Sequence, residues 1–143
     1  MKNVTLERFV VRNVEFINNV EGSMKLELKN RHNYNVDYNE DVTKCRSRLI
    51  VDIRNEPNDS LLRVRVELWG YFQIGDLKDK AKIHCETYDQ IFPQARAYIA
   101  SLTAMAGIAP LMAIPMELNP ENVSLQAQGS DPIPGVPGTN LKS

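Results

Sequence analysis

Cysteine and histidine are scarce in this 143-residue chain, and their scarcity removes several chemistries at once. Cys45 and Cys85 stand far apart, with no second Cys or His pair at metal-ligand spacing. Neither a disulfide framework nor a zinc site is expected, and the thiols read as reduced and partly buried. With only His32 and His84, a serine triad needs one of them beside a serine, yet Ser47, Ser60 and Ser101 lie in no nucleophile-elbow context. His84 next to Cys85 is the one candidate thiolate-imidazole pair, but adjacent residues on an extended segment point apart and no third group is evident. There is no glycine-rich phosphate loop and no internal repeat, and carboxylates are scattered singly. Hence no enzyme activity, no cofactor and no metal is expected. No apolar run approaches the ~20 residues of a membrane span, and no secretory signal follows the single early Lys of MKNVTLERF, so the expectation is a soluble, cytoplasmic protein. A net charge of −1 argues against a general polyanion binder.

What is present is alternation, followed by one helical stripe. Phe9 to Ile17 predicts a strand with Val10, Val14 and Phe16 on one face and Val11, Asn13 and Glu15 on the other. After a break at residues 18–23, Met24, Leu26 and Leu28 alternate with Lys25, Glu27 and Lys29, predicting a second strand that hairpins back on the first. Asn30 to Asp41 is polar and reads as an edge strand or a loop. Thr43 to Arg54 is one-sided, with Cys45, Leu49, Val51 and Ile53 opposite Lys44, Arg46, Arg48, Asp52 and Arg54. Beyond a turn at residues 56–60, the face Leu62, Val64, Val66, Leu68, Gly70, Phe72 and Ile74 backs onto Arg63, Arg65, Glu67, Trp69 and Tyr71.

The stretch from Tyr88 to Met116 organises the rest. Ile91, Phe92, Ala95, Tyr98, Ile99, Leu102 and Met105 recur at three-and-four spacing and predict a helix capped near Thr87, its main part starting at Pro93 and stopping at Gly107. The following loop, with Leu111, Met112, Ile114 and Met116, is too apolar for an ordinary solvated loop. The fold class is α+β: a four-stranded antiparallel sheet followed by a long helix packed on one face, in residues 1–120, with a disordered tail in 121–143. One helix and four strands leave part of this apolar surface uncovered, so a homo-oligomer, a dimer at least, is expected.

Several motifs resemble one family. Ile91-Phe92-Pro93-Gln94-Ala95-Arg96, then Gly107-Ile108-Ala109-Pro110-Leu111 and Ala113-Ile114-Pro115-Met116, resemble the helix and proline-flanked loop of SecB, the bacterial export chaperone. Gly70-Tyr71-Phe72-Gln73-Ile74, His84-Cys85 and Lys25-Leu26-Glu27-Leu28 resemble its strand end, the pair before its helix and an early strand, so the likeness covers most of Phe9 to Met116. It implies a dimer of dimers, a homotetramer, that holds unfolded polypeptides without ATP in grooves bordered by the sheet, the loop after the first strand and the loop after the helix. The matched groove positions are Phe72, Leu111 and Met112; Trp69, Tyr71 and Met116 are added on their chemistry.

Three departures qualify the likeness. The loop after the first strand, Asn18 to Ser23, is shorter than the family's. The acidic residues through which the family docks the translocase motor SecA align with Asn13 and Arg65. Nothing after Met116 supports the family's second helix. The resulting expectation is an ATP-independent, SecB-like holdase for unfolded clients or preproteins in export. The alternatives are a chaperone of a toxin-antitoxin pair, with an antitoxin as partner, and, in a different class, a nucleic-acid-binding sheet using Arg46, Arg48, Arg63 and Arg65 with Trp69 and Tyr71.

Overall fold

The structure, a computed structural model, describes residues 3–22, 26–56 and 61–118. The tail at 121–143, Met24 and Lys25 of the expected second strand, and most of the turn before the fourth strand lie outside the described residues. Four strands, β1 (Val4–Asn18), β2 (Leu28–Tyr38), β3 (Lys44–Asn55) and β4 (Leu62–Ile74), precede one helix, α1 (Lys80–Met105). The α+β expectation holds. All pairings are antiparallel, in the order β1-β4-β3-β2.

That order overturns the hairpin expected between the first two strands. β1 pairs β4 from Val4↔Ile74 to Asn18↔Leu62, while β2 pairs only β3, so β1 and β2 form opposite edges of the sheet. β1 ends at Asn18 and β2 begins at Leu28 on the other edge, so this crossover connection spans more residues than the Asn18 to Ser23 loop expected. It is pinned on both sides: the Asn19 amide donates to the Leu61 carbonyl at 2.7 Å and the Glu56 amide to the Glu27 carbonyl at 2.9 Å. Alternation tells which face a residue takes, but not which strand lies beside it.

β1 also corrects its own phase. Register shifts fall between Leu6 and Arg8 and between Val11 and Asn13. An inserted residue reverses the facing of everything beyond it. Val11, opposite Leu68, therefore joins Val14 and Phe16 on the core side, whereas Val10 packs with Trp69 and Tyr71 on the other face.

The polar β2 proves to be an edge strand. Tyr34 and Val36 are buried, and His32 and Tyr34 form an aromatic ladder with α1: Tyr34–His84 at 4.9 Å, Tyr34–Tyr88 at 5.2 Å and His32–Phe92 at 5.6 Å between centroids. Such pairs contribute ~0.5–1.5 kcal/mol each beyond area burial.

The helix begins earlier than predicted. Asp79, not Thr87, is the cap, its carboxylate accepting from the Ala81 amide at 3.0 Å and the Lys82 amide at 3.4 Å. Pro93 lies inside α1 on its exposed side, and Gly107, at φ 87°, supplies the expected left-handed stop. Ile83, Thr87, Ile91, Ala95, Ile99 and Thr103, four apart, are all fully buried. Met105, predicted on this stripe, is 86% exposed, because two residues past Thr103 the helix has turned it away. Gly70 allows the close approach: a Cβ there would meet Ile91, Phe72 and Ser47 side-chain atoms at 3.0 Å each.

Candidate functional site

The end of the sheet where β1 stops and β2 and β4 begin is left open by the helix. There the crossover and the loop after α1 face each other across a groove of about 410 Å³. Its walls are Val20 and Leu26 from the crossover, Leu28 and Leu62 from the strand ends, and Ile108 and Leu111 from the loop. Gly22 and Gly107, both in the left-handed region at φ 64° and 87°, lie where the two walls turn. Among the described residues, no ionisable side chain lines the groove. Such a surface is suited to apolar side chains.

From the groove, residues 111–118 run back along α1 towards its middle as an extended strap. The Leu111 amide donates to Thr103 Oγ1 at 2.9 Å, the Ile114 amide to Asn30 Oδ1 at 3.4 Å and the Met116 amide to Tyr88 Oη at 2.9 Å. Tyr88 Oη in turn lies 3.3 Å from His32 Nδ1. Ala113 is buried, Leu111, Met116 and Leu118 pack against the core, and Met112 and Ile114 are about 60% exposed. The buried Thr103 is the hinge of this arrangement: its hydroxyl donates back to the helix carbonyls of Ile99 or Ala100 and accepts from Leu111.

The six residues proposed from the sequence do not form one surface. Leu111 is in the groove wall, and Met112 and Met116 follow it on the strap. Phe72 is 1% exposed, between Leu6 and Cys45 in register and in the core cluster beneath the helix. Trp69 and Tyr71 lie on the other face of the sheet. Sequence reasoning missed Val20, Leu26, Leu28, Leu62 and Ile108. Leu26, Leu28 and Leu62 carry a strand's alternation, which marks an apolar face but not a groove wall. Val20 is a single apolar residue in a polar stretch and carries no periodic signal.

The opposite face is a lattice of ion pairs. Arg46 meets Asp37 at 3.0 Å, Arg48 meets Glu67 at 2.9 Å, Arg54 and Arg63 meet Asp52 at 2.7 and 3.2 Å, and Arg65 reaches Glu15 at 3.7 Å. Burial penalises the charged forms of Asp52 and Glu67, but the bonds and charges of these arginines outweigh it and hold both carboxyls below their usual range. Trp69 donates from Nε1 to Glu67 at 2.8 Å and is covered by Arg12 at 4.5 Å and Arg46 at 4.7 Å, and Arg8 lies 4.0 Å over Tyr71. At 7% exposure Trp69 has no free ring face for a base, so the nucleic-acid reading loses its stacking platform. Asn13 and Arg65 sit on this face, opposite Glu67 and Glu15.

His84 and Cys85 are on α1, not on the extended segment expected. Burial draws His84 down to about 4, and its ring packs edge-on to Tyr34. Among the described residues, no group of three His, Cys, Asp or Glu side chains is placed to hold a metal ion. Cys45 is buried, and burial together with Asp37 raises its thiol to about 12.

No family model matches the chain, and no curated protein does. Among solved structures it is similar to the Mycobacterium tuberculosis Rv1957 SecB-like chaperone in complex with a ChAD peptide from the Rv1956 HigA1 antitoxin. The two are 13% identical, the match covers 80% of this chain and 88% of that one, and the TM-score is 0.59. At that identity the likeness shows a shared SecB-like fold.

Proposed function

We propose that this protein is an ATP-independent chaperone of the SecB-like type, which holds extended apolar segments of unfolded polypeptides. The observation that carries the reading is the groove between the crossover and the loop after α1, apolar on both walls, with Met112 and Ile114 exposed on the adjoining strap. Flexible, polarizable methionine suits a surface that accepts many sequences. The peptide-binding residues are then Val20, Leu26, Ile108, Leu111 and Met112, with Met116 at the far end of the strap. A toxin-antitoxin role is favoured over export on two grounds. The similar structure holds an antitoxin peptide, and Asn13 and Arg65 stand where the family's SecA-docking carboxylates are expected.

The test is suppression of aggregation of a chemically unfolded client, followed by light scattering without nucleotide. Leu26→Asp combined with Ile108→Asp should weaken client binding at least about tenfold, or 1.4 kcal/mol, with the circular dichroism spectrum unchanged. Met112→Asp alone should have a smaller effect in the same direction. Full suppression by the double variant would remove the groove from the mechanism.

Oligomerisation belongs to the same reading. Among the described residues both sheet edges are open, and Phe9, Ile17, Met105, Met112 and Ile114 leave apolar surface in water. Burial gains ~25 cal/mol per Å², so pairing of these surfaces is favourable, and a homotetramer is the arrangement that the fold suggests. Sedimentation at micromolar concentration should report a dimer or tetramer. A monomer would refute the proposal.

A further inference from the structure

The charges of this chain are sorted by face. Eight of the nine arginines, at positions 8, 12, 31, 46, 48, 54, 63 and 65, lie on the sheet face turned away from α1, and Lys29 and Lys44 share it. Opposed to these ten cations on the same registers are four carboxylates, Glu15, Asp37, Asp52 and Glu67, with Glu7 in the bulge at the rim. The chain as a whole carries −1, so one strongly basic face is balanced by acid elsewhere, including Glu40, Asp41, Asp76, Asp79, Glu86 and Asp89. A face so biased raises the local concentration of anions and governs encounter rate and partner choice.

The ion pairs are concentrated towards the β2–β3–β4 side. Around Trp69 and Tyr71 the cations are laid on aromatic rings: Arg8 over Tyr71, and Arg12 and Arg46 over Trp69, with Arg46 also paired to Asp37. A guanidinium whose carbon lies over a ring face is held there by the cation–π attraction and keeps N–H donors that can take a carboxylate. Arg8 and Arg12 are exposed on the edge strand β1, with the unpaired side of the sheet beside them. Because the rings are covered, this corner offers charge and donors without a stacking surface for bases.

We propose that the Arg8–Arg12–Arg46 corner of the sheet is a docking surface for an acidic polypeptide segment, separate from the groove that takes apolar clients. Charge complementarity identifies the occupant: its Asp or Glu carboxylates take the guanidinium donors of Arg8 and Arg12, while Arg46, which already meets Asp37 at 3.0 Å, adds positive charge to the corner. The surface would recruit a partner protein while the groove on the other side remains free to hold a client.

Trp69, the chain's single tryptophan, reports on this corner directly. Titration with a short glutamate homopeptide should give a saturable change in Trp69 emission. Anisotropy of the labelled peptide should give a dissociation constant that rises severalfold between 50 and 200 mM salt, as screening shortens the range of the attraction. Arg8→Glu with Arg12→Glu should weaken that constant at least about tenfold, with circular dichroism unchanged and aggregation suppression retained. If that variant fails to fold, Arg8→Gln with Arg12→Gln takes its place, with a smaller loss expected. The proposal is overturned if the glutamate peptide does not bind, or if a lysine homopeptide binds equally well. Tighter binding of a single-stranded oligonucleotide at matched charge and salt would overturn it too, as would salt-sensitive self-association that consumes the face.

Discussion

Phe72→Ala should destabilise the protein by about 3–5 kcal/mol, the range for removing an aromatic ring from a packed core that relaxes only partly. Phe72 is 1% exposed, is flanked in register by Leu6 and Cys45, and shares with Ile91 the space that Gly70 leaves by having no side chain. Against a total stability of about 5–15 kcal/mol, the loss is a large share. Urea unfolding followed by circular dichroism, at one fixed protein concentration because the proposed oligomer contributes to the midpoint, would measure it. Met112→Ala, on the exposed strap, should stay within about 0.5 kcal/mol of the parent. The contrast separates two roles that the sequence treats alike. A Phe72→Ala variant that lost client binding at native stability would return Phe72 to the binding surface; loss of binding through unfolding would leave it a packing residue.

How much of the fold can be read from the residues differs from strand to strand. β3 and β4 are legible because each alternates between a core face and a face rich in charge, with Ile50, Trp69 and Tyr71 as the apolar exceptions on the latter. β1 has the same composition, but its two bulges change phase, so Val10 and Val11 are read on the wrong faces although the strand itself is found. β2 is obscured by chemistry: His32 and Tyr34 turn polar-looking side chains inward, where rings from α1 receive them. The start of α1 is missed for a related reason. Between Lys80 and Thr87 the apolar signal rests on Ile83 alone, and the remaining buried contacts come from His84 and Thr87, whose polarity hides the stripe.

The site is less legible than the fold because it is made of ends. Leu28 and Leu62 enter the groove only because the crossover carries the chain to the far edge of the sheet, a fact of strand order that no local pattern contains. Leu111 and Met112 are visible because an apolar, proline-flanked loop is anomalous wherever it occurs. Trp69 and Tyr71 show the opposite limit: their residue types suggest a binding surface, yet the arginines laid over them turn the rings into supports for charge.

Acid should destabilise this protein earlier than its carboxylates would. His84 is buried in the first turns of α1, edge-on to the Tyr34 ring, and burial lowers its pKa from the ordinary 6.5 to about 4. Between those two values the unfolded chain binds a proton that the folded protein refuses. Stability is therefore complete above pH 6.5, falls as the pH drops through the window, and stops falling from this cause below about 4, where both states are charged. The separation corresponds to about 3 kcal/mol. His32, lowered by burial against the opposing pull of the Ile114 backbone, adds to the loss with the same sign. Asp89, raised by burial and by Glu86, works in the opposite direction, and the arginine-held Asp52 and Glu67 lose their contribution only at lower pH. Urea midpoints from pH 8 to pH 4 should show the parent losing several kcal/mol and His84→Phe losing about 3 kcal/mol less over the same interval. The comparison rests on the slope with pH, so a uniform change in the variant's stability does not disturb it. Superimposable slopes would mean that His84 is hydrated in the folded protein, and that the packing of β2 against α1 is looser than its aromatic ladder implies.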